Sequence, residues 1–201
     1  MKVTSLQLDA LKELINIGVG NGANLLNKML NKPIALNTIE VHILSHKDYE
    51  SYIDFEENTS IVHMGFDGTF GGRVNLIFPN KDAVRLLELI APWLNVDASI
   101  GKVKKNVLTE VGNIVINGVI GSLSNVLKLQ SSYSLPQYYQ GHISELLKTE
   151  QIGAVILANT QYAIEEESIK GTLLIFLELR SIVELQKHLD KLVNNQSESN
   201  L

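Results

Sequence analysis

The chain has 201 residues, 45% of them hydrophobic and 19% charged, a formal net charge of −5, and no cysteine. This is the composition of a soluble globular domain, long enough for one core or for two subdomains sharing one. It excludes disulfide scaffolds, thiolate metal sites and cysteine nucleophiles, and its acidic balance argues against nucleic acid, whose phosphates require a basic surface. The first residues lack the apolar run of a signal peptide. No apolar run approaches the roughly 20 residues needed to span a bilayer, so a cytoplasmic protein without a membrane partner is expected.

Residues 5–31 predict a long helix. Leu8, Leu11, Ile15, Gly18, Gly22, Leu26 and Met29 recur at spacings of three and four and share one stripe, while Asp9, Glu13, Asn16 and Gly20 lie opposite. Each glycine in the middle of a helix costs roughly 1 kcal/mol relative to Ala. Keeping Gly18 and Gly22 on the buried stripe implies close approach of a sheet or a sister helix, and Gly20 leaves room for an incoming partner. Asn31-Lys32-Pro33 ends the helix. Residues 34–45 read as a strand and residues 48–57 as an acidic surface excursion. Two strands, 59–66 and 71–78, flank the turn Asp67-Gly68-Thr69. The glycine-rich segment 65–72 lacks the strand-to-helix setting and the lysine of a phosphate loop, so it reads as a hairpin. A second helix starts at Asn80 as its cap and buries Ala83, Leu86, Leu87 and Ile90, with Trp93 plugging an edge of the core.

Residues 95–100 read as a join, after which the order repeats. A helix over 102–128 has the stripe Leu108, Gly112, Val115, Val119, Leu123 and Val126, with Asn106, Glu110, Asn113 and Asn117 opposite. A β-like stretch (131–140), a polar excursion (142–151), strands at 152–160 and 168–178, and a helix over 181–192 capped by Ser181 follow. Residues 194–201 read as a polar, disordered tail. The expected fold is α/β in the layered α+β sense: a pseudo-twofold pair of repeats, about 5–95 and 101–192, forming a single domain over 1–201. A mixed or antiparallel sheet would carry the two long helices on its outer face.

The repeat is most specific at two pairs. Glu13 and Asn16 recur as Glu110 and Asn113, each displaced by 97 positions (110 − 13 and 113 − 16). These positions lie on the polar side of their helices, so packing does not explain the match. At i and i+3 the two side chains are neighbours. An ionised carboxylate accepts from a Lys or Arg, and an amide offers two donors and an acceptor. Such a pair is no nucleophile, but it can dock on a basic group and hold a water for hydrolysis at an electrophile brought by another molecule. The histidines (42, 46, 63, 142 and 188) are scattered without ligand spacing, and Tyr133, Tyr138 and Tyr139 read as packing.

Asp9-x-x-x-Glu13-x-x-Asn16-Ile17-Gly18-x-Gly20-Asn21, followed by Glu110-x-x-Asn113-Ile114, resembles the CheC family of bacterial chemotaxis phosphatases over nearly the whole chain. The related CheX proteins carry one such motif in a shorter chain, and FliY flagellar switch proteins carry further segments. The resemblance implies a substrate, the aspartyl phosphate of the response regulator CheY. Glu13 and Glu110 would each pair with the regulator's active-site lysine, and Asn16 and Asn113 would each position the attacking water. The Mg²⁺ would be the regulator's, with no cofactor of this chain's own. The receptor deamidase CheD is a further implied partner. The chain departs from the family pattern at Asn106, where Asp or Ser is usual and Asp9 fits, and at Gly22-Ala23, where Ala-Ala is common. Two other readings stand beside the enzyme: an adaptor that binds CheY or CheD with weak or no hydrolysis, and a flagellar switch component.

Overall fold

A computed structural model describes residues 4–31, 33–45, 48, 52, 58–68, 70–94, 101–147, 154–164 and 166–198. In chain order the elements are α1 (Ser5–Leu30), β1 (Ile34–Leu44), β2 (Thr59–Gly68), β3 (Gly72–Pro79), α2 (Asn80–Ile90), a 3₁₀ turn (Ala91–Leu94), α3 (Gly101–Val126), β4 (Ser131–Tyr133), β5 (Gln137–Gly141), α4 (Ile143–Leu147), β6 (Ala154–Ile164), β7 (Glu167–Leu177) and α5 (Leu179–Glu198). The strands form one antiparallel sheet in the order β1-β6-β7-β3-β2, with β4 and β5 both along the outer side of β2. This order is palindromic with respect to the two halves. The hairpins β2–β3 and β6–β7 meet at the centre, and the first strand of each half crosses over to pair with the hairpin of the other. The repeat therefore builds one sheet.

Side chains alternate across each strand, and both faces bury apolar side chains. Val62, Met64, Val74, Leu76, Phe78, Ile156, Leu173 and Ile175 face the main core, which they share with buried residues of α1, α2, α3 and α5. Ile61, Ile77, Val155, Leu157, Leu174 and Phe176 form a second cluster on the opposite face with Ile143 of α4, and Tyr139 packs against it.

Local chemistry sets the ends of α1. Thr4 Oγ1 accepts from the Gln7 backbone N–H at 3.2 Å while Gln7 Oε1 accepts from the Thr4 N–H at 2.8 Å, a reciprocal capping box. Asn31 closes the helix in the left-handed conformation at φ 50°. Gln7 Nε2 also donates to Asp190 Oδ1 at 2.6 Å, tying α1 to α5.

Several sequence expectations change. Met29 is 39% exposed and Val126 41%, while the next residues, Leu30 and Leu127, are buried. Both stripes slip by one position at equivalent places, at the C-terminal ends of the two helices. Asn80 is not a cap: Pro79 holds that position without a side-chain bond, and Asn80 Oδ1 accepts from Lys104 Nζ at 2.8 Å. Ser181 does not cap α5, which begins at Leu179. Its hydroxyl is engaged with Gly71 instead. The polar stretch from Asn194, expected as a tail, continues α5 as far as Glu198. The excursion after β5 contains the short helix α4. By length and composition α3 does qualify as a membrane-crossing helix, but 67% of its most apolar window is buried inside the fold. The join at 95–100, most of the acidic stretch 48–57 and the Trp93 side chain lie outside what is described.

Candidate active site

The site rests on the crossing of α1 and α3. The two helices run antiparallel. A Cβ placed on Gly18 would fall 2.5 Å from Val119 Cα and 2.9 Å from the Gly118 carbonyl oxygen, and one on Gly22 would fall 3.1 Å from Val115 Cα. Gly118 reciprocates, its Cβ position lying 2.6 Å from the Gly18 carbonyl oxygen. Of the two partners open for these glycines, the sister helix is the one observed. Gly112 instead faces the sheet, with Val62 Cγ1 2.5 Å from its Cβ position. Asn21 Nδ2 donates to Ser122 Oγ at 3.1 Å across the crossing.

Backbone contact at this point turns the polar sides of both helices outward. Glu13 and Asn16 are exposed, as are Glu110 and Asn117, and Asn113 is half-buried. Antiparallel packing centred near Gly20 and Asn117 sets the two Asn residues roughly 12 Å apart along the axis and the two Glu residues roughly 21 Å apart, at 1.5 Å per residue. The structure thus brings each Glu together with its own Asn, one turn away, and keeps the two pairs at opposite ends of the crossing.

The surroundings of the two pairs differ. Asn117 Nδ2 donates to Asn113 Oδ1 at 2.8 Å. Beside the second pair, an open cleft of about 530 Å³ is lined by Lys105, Asn106, Thr109, Pro136, Gln137 and Tyr138. Leu135, on the segment between β4 and β5, is 83% exposed. Sequence reasoning placed Asn106 and Asn117 on the correct face but gave Asn117 no role, although amides at i and i+4 are within bonding reach. The cleft wall from β5 carried no signal, since it depends on strand pairing far along the chain. Among the described residues no group of three or more His, Asp or Glu comes together as a metal-ligand set.

No family model matches the chain. It is 27% identical over 159 residues to the CheY-P phosphatase CheC of Bacillus subtilis (strain 168), covering 73% of this chain and 75% of that protein. The crystal structure of Thermotoga maritima FliY superposes with a TM-score of 0.73 at 18% identity, over 95% of this chain and 99% of that one. CheX in the CheX–CheY–BeF3–Mg²⁺ complex of Borrelia burgdorferi superposes with a TM-score of 0.55 at 13% identity, over 83% of this chain and 99% of that one. The fold is therefore that of FliY and CheX, with a curated CheC as a sequence relative. These likenesses support the resemblance to the CheC/CheX/FliY family.

Proposed function

We propose that this protein is a phosphatase for the aspartyl phosphate of a CheY-type response regulator, acting in the cytoplasm through two sites. The observation that carries this is the presence of two Glu-x-x-Asn pairs at matching positions on the crossed helices, with Glu13, Asn16 and Glu110 exposed and Asn113 half-buried. The regulator docks along one motif helix. Glu13 or Glu110 accepts from its active-site lysine, fixing the register of the two surfaces. Asn16 or Asn113 then lies against the acyl phosphate, where its amide holds a water in line with the scissile bond. The water oxygen bonds to phosphorus, the phosphorus–oxygen bond to the aspartate breaks, and the carboxylate and inorganic phosphate leave. The regulator brings its own Mg²⁺, which supports charge on the phosphoryl oxygens. Positioning is what this chain supplies, and phosphoryl transfer with a loose transition state depends heavily on positioning and electrostatic support.

The test is the lifetime of phosphorylated CheY with and without the protein. Acceleration by the natural chain, partial loss in Asn16→Ala or Asn113→Ala, and complete loss in the double variant with an unchanged melting curve support the reading. A double variant that keeps its activity overturns the water-positioning role. The adaptor reading is favoured by one observation, the Asn113 amide already engaged by Asn117. Binding of CheY, or of CheD, without faster dephosphorylation in the presence or absence of CheD would select it.

A further inference from the structure

The residue that stands in α1 where α3 carries Asn117 is Gly20, since 117 − 97 = 20. The two pairs therefore differ at the position one turn beyond the amide that would hold the water. At the second pair Asn117 Nδ2 donates to Asn113 Oδ1 at 2.8 Å. At the first pair there is no side chain to do so, and a Cβ built on Gly20 meets nothing within 4 Å. Asn16 is exposed and Asn113 half-buried.

The consequence follows from what an attacking water needs. One lone pair goes to phosphorus, so its protons must be taken by acceptors. Glu110 is engaged by the regulator's lysine in the reading above, on which this inference rests. The acceptor that α3 then offers is Asn113 Oδ1. A carbonyl oxygen has two lone pairs, and one of them is already occupied.

We propose that Asn117 is a positioning residue that slows the second site, because its amide competes with the attacking water for Asn113 Oδ1. Gly20 leaves the first site without this brake. The chain thus carries a faster and a slower site built on the same motif.

Single-site proteins test this directly. Asn16→Ala leaves only the second site, and Asn113→Ala only the first. Adding Asn117→Ala to the first of these raises kcat for CheY dephosphorylation about two- to tenfold with KM unchanged, the range expected for releasing one hydrogen bond. Adding Gly20→Asn to the second installs the brake and lowers kcat by a comparable factor. Asn is a better helix former than Gly, so this variant melts no lower than its parent, and the fall in rate is not a loss of fold. An unchanged or reduced kcat on adding Asn117→Ala, or an unchanged kcat on adding Gly20→Asn, overturns the brake while the active single-site parents keep the phosphatase reading intact. If the unsubstituted chain gives no acceleration at all, the phosphatase reading falls and the brake falls with it.

Discussion

Gly18 and Val119 meet backbone to backbone: the place a Gly18 Cβ would occupy is 2.5 Å from Val119 Cα. No side chain at position 18 can move aside to relieve such a contact, so Gly18→Ala must push α1 off α3. We expect a loss of about 2–3 kcal/mol, which for a chain of this size lowers Tm by roughly 5–10 °C. Gly118→Ala, directed at the Gly18 carbonyl oxygen, behaves alike. Gly20→Ala does the opposite. It fills open space and relieves a helix of a glycine, for a gain of about 0.5–1 kcal/mol. Thermal melts of the three variants check the set. Equal destabilisation by Gly18→Ala and Gly20→Ala would mean that the crossing is not as tight as described.

The hairpin and the last helix are joined by one buried serine. Ser181 Oγ accepts from the Gly71 N–H and donates to the Gly71 carbonyl, both at 2.7 Å. The Glu178 N–H also reaches that carbonyl at 3.3 Å, so Ser181→Ala leaves chiefly the Gly71 N–H without a partner. A buried donor left unpaired costs about 1–3 kcal/mol. Urea denaturation should show a lower midpoint at unchanged slope. A loss within error would show that water replaces the hydroxyl.

Much of this fold was readable because it repeats. The register of Glu13 with Glu110 and Asn16 with Asn113 follows from the chain itself, as does the need for close approach at Gly18 and Gly22. The choice of a sister helix over a sheet at those glycines was not readable, since periodicity identifies a buried stripe without naming what covers it. The same holds for Ser181 and Asn80. Each has the chemistry of a helix cap, and each was drawn into a contact with a residue distant in the chain, Gly71 and Lys104. The crossover that sends β1 to pair with β6 is likewise a property of two halves assembled together. The Asn113–Asn117 bond was within reach of the sequence, because only helical spacing is needed to foresee it.

If the two glutamates dock on a lysine and take no part in the chemistry, removing their charge weakens binding without changing the rate of the bound complex. Glu13→Gln with Glu110→Gln should raise KM for phosphorylated CheY about tenfold and leave kcat within about a factor of two. Raising ionic strength should lower kcat/KM of the natural protein more steeply than that of the double variant, since salt screens exposed charge pairs. A fall in kcat at unchanged KM would place the carboxylates at the reacting atoms and contradict the docking role.

His63 on β2 lies opposite Asn75 of β3 and is half-buried. Burial, and secondarily the Arg73 guanidinium, hold its imidazole pKa below the usual value. The fold therefore favours the neutral ring, and the unfolded chain takes up a proton first as the pH falls. The contribution of His63 to stability is complete above the ordinary histidine value of about 6.5, declines as the pH falls below it, and is fully lost once the pH has passed through the folded-state value. His63→Gln removes the titration while keeping a polar side chain at that position. Between pH 7.5 and pH 5 the natural protein should lose more stability than the variant, with the two curves approaching one another toward acid. Parallel curves would show that the ring protonates equally in both states, and would assign the acid sensitivity of the fold to other groups.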